Sequence, residues 1–422
     1  MNASIVTTAP PESSRLHYLD ATRAFALLLG VVFHSCLSFT SSFVGWAVQD
    51  ISTSPLVGLF MTVSHTFRME AFFLLAGLFS HLAYHRNGAG AFVRTRVLRI
   101  VVPFVVGWFI LRPLVVSGWI MGSASLRGSV DIWAGLRGGF QTLSTLPDGI
   151  FVGSHLWFLY YMAMITALVV VMRGTLIASG FRRSWMLARA DAFIGWLAES
   201  SICPLMLAVP TAAALWFMNN WGMDTPDQSL KPHLPVLLVY TSLFVLGWML
   251  GRQRELIEKF SCLTPWRGVM AGIGIATVLL LGDIERDFGH AYRTAAHIAY
   301  ALGYALTMWS LVFLTLGVFR KLCGKPHRFT RFVADSSYWM YLIHLPIVVW
   351  LQVAIAEVPL HWSLKLGLVS AITIAISLLT YDLFVRSTII GRVLNGQRRE
   401  RVMLPWVLNA ISFIRTPAPQ KL

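Results

Sequence analysis

Charge is what this sequence most lacks. Of its 422 residues only 13% are Asp, Glu, Lys or Arg, while 56% are hydrophobic. A soluble protein of this length needs a charged shell that these residues do not supply. Cysteine is scarce as well. Cys36, Cys203, Cys262 and Cys323 stand apart, at no spacing that suits a metal or a redox pair, so neither a metal site nor disulfides are expected. Short alternating runs are also missing. The apolar residues come in long blocks, which argues against a membrane barrel and for helices, since backbone in a bilayer must satisfy its own hydrogen bonds. No cleavable signal peptide is evident: the polar stretch up to Asp20 holds one base, Arg15, and no small-residue cleavage site follows the spanning run from Ala21 to Phe39.

The apolar blocks run over residues 18–40, 55–83, 98–121, 155–173, 192–218, 234–251, 268–284, 296–319, 334–354 and 363–386. The fifth is interrupted by Glu199, Ser200, Pro204 and Pro210 and is expected to be kinked or to start late. The net charge of +15 has a topological explanation: 25 of the 34 bases fall before the first block, after even-numbered blocks or in the tail, whereas nine of the 19 acids lie in the other connections. The opposite side holds only Arg127, Arg137, Lys231, Arg286, Arg293 and Lys365. By the positive-inside rule the basic side is cytoplasmic, and nucleic acid need not be invoked. The expected fold is therefore all-α and integral to the membrane, a polytopic bundle of about ten transmembrane helices with both termini cytoplasmic. It divides into a polar N-terminal segment (1–14), a membrane domain (15–390) and a basic tail (391–422). The longest outer connection, 122–154, carries Asp131, Trp133 and Asp148 and could cover a site; the tail stretch Trp406–Phe413 could lie on lipid or be disordered.

Ionisable side chains inside a bilayer are costly and each needs a reason. Four segments hold most of them. In the first, Arg23 and His34 are eleven positions apart, which returns to within about 20° of the same helix face and separates them by roughly 16 Å. One elongated ligand could meet both; Asp20, three residues before Arg23, could equally make a structural anchor with it. In the second, His65-Thr66-Phe67-Arg68-Met69-Glu70, the permanently charged Arg68 needs a partner or a polar cavity. Glu70 or Asp20 could pair with it, or it could clamp an anion in a bidentate fork. Gly77 further on suits close helix packing. The third segment, His155-Leu156-Trp157, reads equally as an aromatic belt. In the fourth, Tyr341-Leu342-Ile343-His344-Leu345-Pro346, Pro346 frees a carbonyl that His344 could take. By depth, His34, Arg68 and His344 fall in the middle to outer half of the bilayer, His155 at its outer edge and Arg23 towards the cytoplasm.

These residues carry a resemblance. Arg23, ten residues and His34 resemble the opening motif of the acyltransferase 3 family of membrane acyltransferases. Leu19-Asp20-Ala21-Thr22-Arg23-Ala24, Phe67-Arg68-Met69, His155-Leu156-Trp157-Phe158-Leu159 and Tyr341-Leu342-Ile343-His344-Leu345-Pro346 are similar, in order and spacing, to the branch of that family that modifies osmoregulated periplasmic glucans. Glu70 and Leu345 depart from the branch, where an amide and a second histidine stand. The resemblance implies a bacterial inner-membrane enzyme with no permanently bound cofactor. Acyl-CoA, succinyl-CoA in that branch, would be the donor, a glucan hydroxyl the acceptor, and glucan-synthesis proteins possible partners. It places catalysis on His34, Arg68 and His344, with Arg23, Asp20, His155, Trp157 and Glu70 binding substrate and no metal. Three other readings stand beside it: another surface polysaccharide as acceptor, a secondary transporter using the same buried groups, or a sensor without chemistry.

Overall fold

The computed structural model describes residues 17–125, 130–144, 154–179 and 183–402. The polar segment 1–14, Arg15, Arg127, Asp148 and the stretch Trp406–Phe413 lie outside them. The described residues are helical, with no strand among them. The helices are α1 (His17–Cys36), α2 (Pro55–His65), α3 (Arg68–Asn87), α4 (Ala89–Arg96), α5 (Val102–Ser125), α6 (Ile132–Gln141), α7 (Trp157–Ala178) and α8 (Arg183–Glu199). There follow α9 (Cys203–Leu215), α10 (Leu234–Arg252), α11 (Arg254–Phe260), α12 (Pro265–Leu281), α13 (Arg293–Leu322), α14 (Arg328–Ile355), α15 (Trp362–Thr380) and α16 (Ile389–Asn395).

Eight helices among the described residues are long and apolar enough to cross a membrane, and a ninth span results if one bent pair is counted. The chain is thus a multi-pass membrane protein, and each of the ten apolar blocks is helical. Two blocks depart from the single spans expected of them. Block 55–83 is broken at Thr66–Phe67 into α2 and α3. The Thr66 hydroxyl and N–H both turn back to the Val63 carbonyl (2.8 and 3.3 Å), ending α2 by local capture of the backbone. Block 192–218 is α8 and α9, bent by 118°. Pro204 opens α9, and α8 is tied sideways by Asp191 to Arg252 and by Glu199 to Lys259, each at 2.7 Å. Those pairs hold α8 beside α11 and out of line with α9.

At the centre, α1 packs against α2, α3, α13, α14 and α15. The closest helix pair is α3 with α10. A Cβ on Gly77 would sit 1.9 Å from the Phe244 carbonyl oxygen, and one on Gly247 would sit 1.9 Å from that of Leu74. The two backbones therefore touch reciprocally, the use expected for Gly77. Prolines set two further contacts. Pro103 lacks the N–H that would bond the Arg99 carbonyl, and the Tyr338 hydroxyl donates to that oxygen instead. The start of the basic tail is docked, with Arg399 on Asp335 and the Val402 N–H on Asp382 at 3.0 Å.

Lys365, expected on the outer surface, is buried. Its ammonium donates to both oxygens of Asp50 (2.7 and 2.9 Å) and to the Ala356 carbonyl (3.2 Å), with Lys365 and Asp50 side chains 0% and 1% exposed. The pair fastens the loop after α1 to α15. Lys365→Met strands a buried carboxylate and is expected to cost about 3–5 kcal/mol, whereas Asp50→Asn in the same chain should restore most of it. Thermal unfolding of the two variants in detergent measures the difference. Equal melting of Lys365→Met and wild type would show that the pair contributes nothing.

Candidate active site

The last turn of α1 delivers His34. Its helix end is finished by α14: the Gln352 amide donates to the carbonyls of His34 and Ser35, each at 3.0 Å, and accepts from the Trp46 indole at 2.8 Å. These are carbonyls that a helix end leaves without intrahelical partners. Trp46 in turn stacks on the His34 ring, centroids 5.9 Å apart. His34 is held by backbone and by ring contacts, while its own Nδ1 is buried without a hydrogen-bond partner.

Two more histidines converge there. The His344 ring lies 5.2 Å from that of His34, and the His155 ring 5.3 Å from that of His344. The carbonyl freed by Pro346 is that of Leu342, and it is His155, not His344, that takes it, through Nε2 at 2.9 Å. His344 instead places Nδ1 against Tyr341 O (2.8 Å) and Met340 O (3.2 Å) of its own helix. A carbonyl accepts only, so each bond fixes the proton: on Nε2 of His155 and Nδ1 of His344. The second ring nitrogen of His344 is then the basic one in the neutral ring. The Tyr341 hydroxyl donates to the His155 carbonyl at 2.7 Å and locks the two segments together.

Arg68 opens α3 and reaches this group over Phe33, its guanidinium 4.1 Å from that ring centroid. Phe33 lies edge-on to His34 at 5.5 Å. Of the partners considered for Arg68, Glu70 lies within electrostatic reach but not in a close ion pair. It makes no ion pair with Glu70 or Asp20 among the described residues, and its Nε and Nη1 are buried without acceptors. Arg68, His344, His155 and His65 all lie within electrostatic reach of His34. Arg68 shares the first turn of α3 with buried Glu70, whose carboxylate lies against the N–H groups of Met69 and Glu70 and within electrostatic reach of the guanidinium.

The structure brings four of the expected residues together: His34, His155, His344 and Arg68. Asp20 and Arg23 remain apart, near the start of α1. Arg23 bonds the Ala334 carbonyl at 3.0 Å and lies 3.6 Å from Asp20, and its Nε is buried without a partner. Trp157 packs into an aromatic wall with Tyr240 (5.7 Å), on which Phe73 stacks from 4.2 Å. Glu70, fully buried, faces the same region, within reach of Tyr240 and Tyr304. Sequence reasoning did not select Trp46, Gln352 or His65. His65 bonds Tyr304 (3.1 Å) and Thr225 (3.3 Å) at the broken end of α2. Its place in the same polar segment as Arg68 was the available signal.

A buried group of three imidazoles, two with protons fixed by carbonyls, beside a guanidinium with two unsatisfied nitrogens, can take a proton from a hydroxyl and stabilise the oxyanion that follows. Within a helical membrane bundle, that combination is suited to acyl transfer. The acyltransferase domain family matches residues 16–382, and the chain belongs to it. It is similar to glucans biosynthesis protein C of Escherichia coli (strain K12 / DH10B), 27% identical over 395 residues that cover 92% of this chain and 96% of the relative. It is also similar to the protein of that name from Salmonella typhimurium (strain LT2), 26% identical over 391 residues, 91% and 95% of the two chains. No solved structure matches significantly.

Proposed function

We propose that the protein moves a succinyl group from succinyl-CoA to a hydroxyl of a periplasmic glucan, across the inner membrane of a bacterium. The observation that supports this reading is a set of unsatisfied atoms at the centre, His34 Nδ1 with Nε and Nη1 of Arg68, all buried without hydrogen-bond partners. Groups left so at a cost of about 1–3 kcal/mol each point to a substrate that completes them.

The donor enters from the basic, cytoplasmic end. Arg23, bound to Asp20 and Ala334, meets its negative groups, and the thioester reaches His34 along α1. The glucan hydroxyl attacks the thioester carbon and gives its proton to His34. Negative charge gathers on the carbonyl oxygen beside Arg68. The C–S bond then breaks, the ester remains on the sugar, and the leaving thiolate takes the proton from His34. His344 and His155, with their protons fixed by carbonyls, orient the acceptor. The wall holding Trp157 and Glu70 keeps bulk water from the thioester. Partner proteins that synthesise the glucan would present it at the far end.

Mass spectrometry of periplasmic glucans tests the reading. A strain lacking the protein should lose base-labile esters whose mass increment is that of a succinyl group, and the wild-type chain should restore them. Unchanged glucans would move the acceptor to another surface polysaccharide. A second measurement separates two duties of Arg68. Arg68→Met is expected to lower transfer by about 10²–10³-fold. An equal loss with acetyl-CoA and succinyl-CoA assigns Arg68 to the oxyanion, and a loss confined to succinyl-CoA assigns it to the distal carboxylate.

A further inference from the structure

At the end of the bundle opposite the basic one, the connections after α9 and after α12, with the start of α13, line a half-open cavity of about 460 Å³. Its floor is aromatic. His297 is held between Trp216 (4.4 Å) and Trp221 (4.8 Å, rings 7° from parallel), and Arg293 lies over both Trp221 (5.4 Å) and Phe288 (4.7 Å). Around that floor stand Asn219, Asn220, Glu285 and Arg293. They are fixed before any ligand arrives. The Asp224 carboxylate accepts from the N–H groups of Asn219 (2.6 Å) and Asn220 (3.1 Å) and from the Asn220 side chain (2.7 Å). Glu285 accepts from the Trp221 N–H at 2.8 Å, and its own carbonyl accepts from Arg293 at 3.0 Å. Two buried donor or acceptor atoms are left without partners: Nε of Arg293 and Nε2 of His297.

We infer that this cavity is a docking site for one hexose unit of an oligosaccharide acceptor. The inference rests on the acyl-transfer reading above and names where its second substrate is gripped. A sugar ring has an apolar C–H face and hydroxyls that both donate and accept. The cavity offers the complement: the exposed Phe288 ring beside amide, carboxylate and guanidinium groups. Lipid tails would strand the exposed amides of Asn219 and Asn220. The volume falls within the roughly 300–1,000 Å³ of small-molecule sites.

The cavity also shares a wall with the histidines. Trp221 meets Tyr300 (5.6 Å), Tyr300 stacks with Tyr304 (6.2 Å), and the Tyr304 hydroxyl bonds His65 (3.1 Å). His65 packs on Phe33, the neighbour of Arg68 and His34. The same connection that builds the cavity continues to Thr225, the second partner of His65. A sugar held beside Phe288 is thus connected to the reacting centre through one continuous run of packed side chains.

Calorimetry on the full-length protein in nanodiscs, with a β-linked glucohexaose as probe, tests this. Two variants are used: Phe288→Ala, at a ring 84% exposed, and Glu285→Gln, which keeps an acceptor for the Trp221 N–H. Each is expected to weaken hexaose binding about tenfold. Each should also raise KM for succinyl transfer to the hexaose by a similar factor, with kcat unchanged. Transfer to methyl glucoside, too short to fill the cavity and reach His34 together, should not change. Unaltered hexaose affinity in both variants would overturn the docking site while leaving acyl transfer standing. Hexaose binding that is weakened by the variants, with no transfer to any sugar by wild type, would uphold the docking site and sink the acyl-transfer reading.

Discussion

Replacing His34 with alanine is expected to lower acyl transfer about 10²- to 10⁴-fold while leaving the amount of folded protein unchanged. The two halves of this expectation come from one observation. The bonds that finish α1 run from Gln352 to the His34 and Ser35 backbone carbonyls, and alanine keeps both. The imidazole itself contributes ring contacts to Phe33, Trp46 and His344, and its Nδ1 bonds nothing. Its removal therefore takes the proton acceptor and spares the scaffold. Single-turnover transfer from succinyl-CoA, normalised to the monodisperse protein recovered from detergent, measures both. A rate within threefold of wild type would remove His34 from the chemistry. Adding His344→Ala to His34→Ala should cost little more, since residues acting as a unit are strongly non-additive. His344→Ala alone should lower recovery as well, because it also deletes the bonds that its Nδ1 makes to Met340 and Tyr341.

Gly77→Leu or Gly247→Leu is expected to abolish folded protein. At both positions a side chain would meet backbone carbonyl at 1.9 Å, and backbone cannot rotate aside as a flexible side chain can. The cost exceeds the about 1–3 kcal/mol of ordinary overpacking. Parting α3 from α10 would also shift the start of α3, and Arg68 with it. Gly272→Leu, on α12 with no atom within 4 Å of its added Cβ, serves as the control and should fold normally. Size-exclusion yield from membranes separates the three variants. Recovery of Gly77→Leu at the control level would mean that the helix contact is not required.

Much of this was legible because a bilayer makes polarity conspicuous. His34, His155, His344 and Arg68 stood out as ionisable groups in apolar blocks, and they do converge. The bundle followed from block lengths for the same reason. What escaped depended on pairings far apart in the chain or on geometry with no marker residue. Asp50 looked like a loop acid and Lys365 like a surface base, and only the fold brings them together. Gln352 is an ordinary amide until α14 lies against the end of α1. The break between α2 and α3 has neither proline nor glycine at Thr66–Phe67, so the spans of hydrophobic residues run through it. Pro346 signalled a free carbonyl correctly, but the histidine that takes it is 187 positions away. Trp157 shares a segment with His155 but packs in the wall with Tyr240, because successive residues of a helix point in different directions.

The buried pair of Lys365 and Asp50 has a consequence for biogenesis. Helices of such a protein enter the membrane in the order in which they are made, and the two members of this pair are made 315 residues apart. When α15 leaves the insertion machinery, the lysine in its first turn carries a charge that the fold later buries and that is not yet compensated. The first loop must wait, with its carboxylate in reach, for the last span to arrive. Assembly thus ends by closing the C-terminal helix onto the loop that follows the N-terminal one. The loop so fastened also carries Trp46, which stacks on His34 and bonds Gln352 of α14.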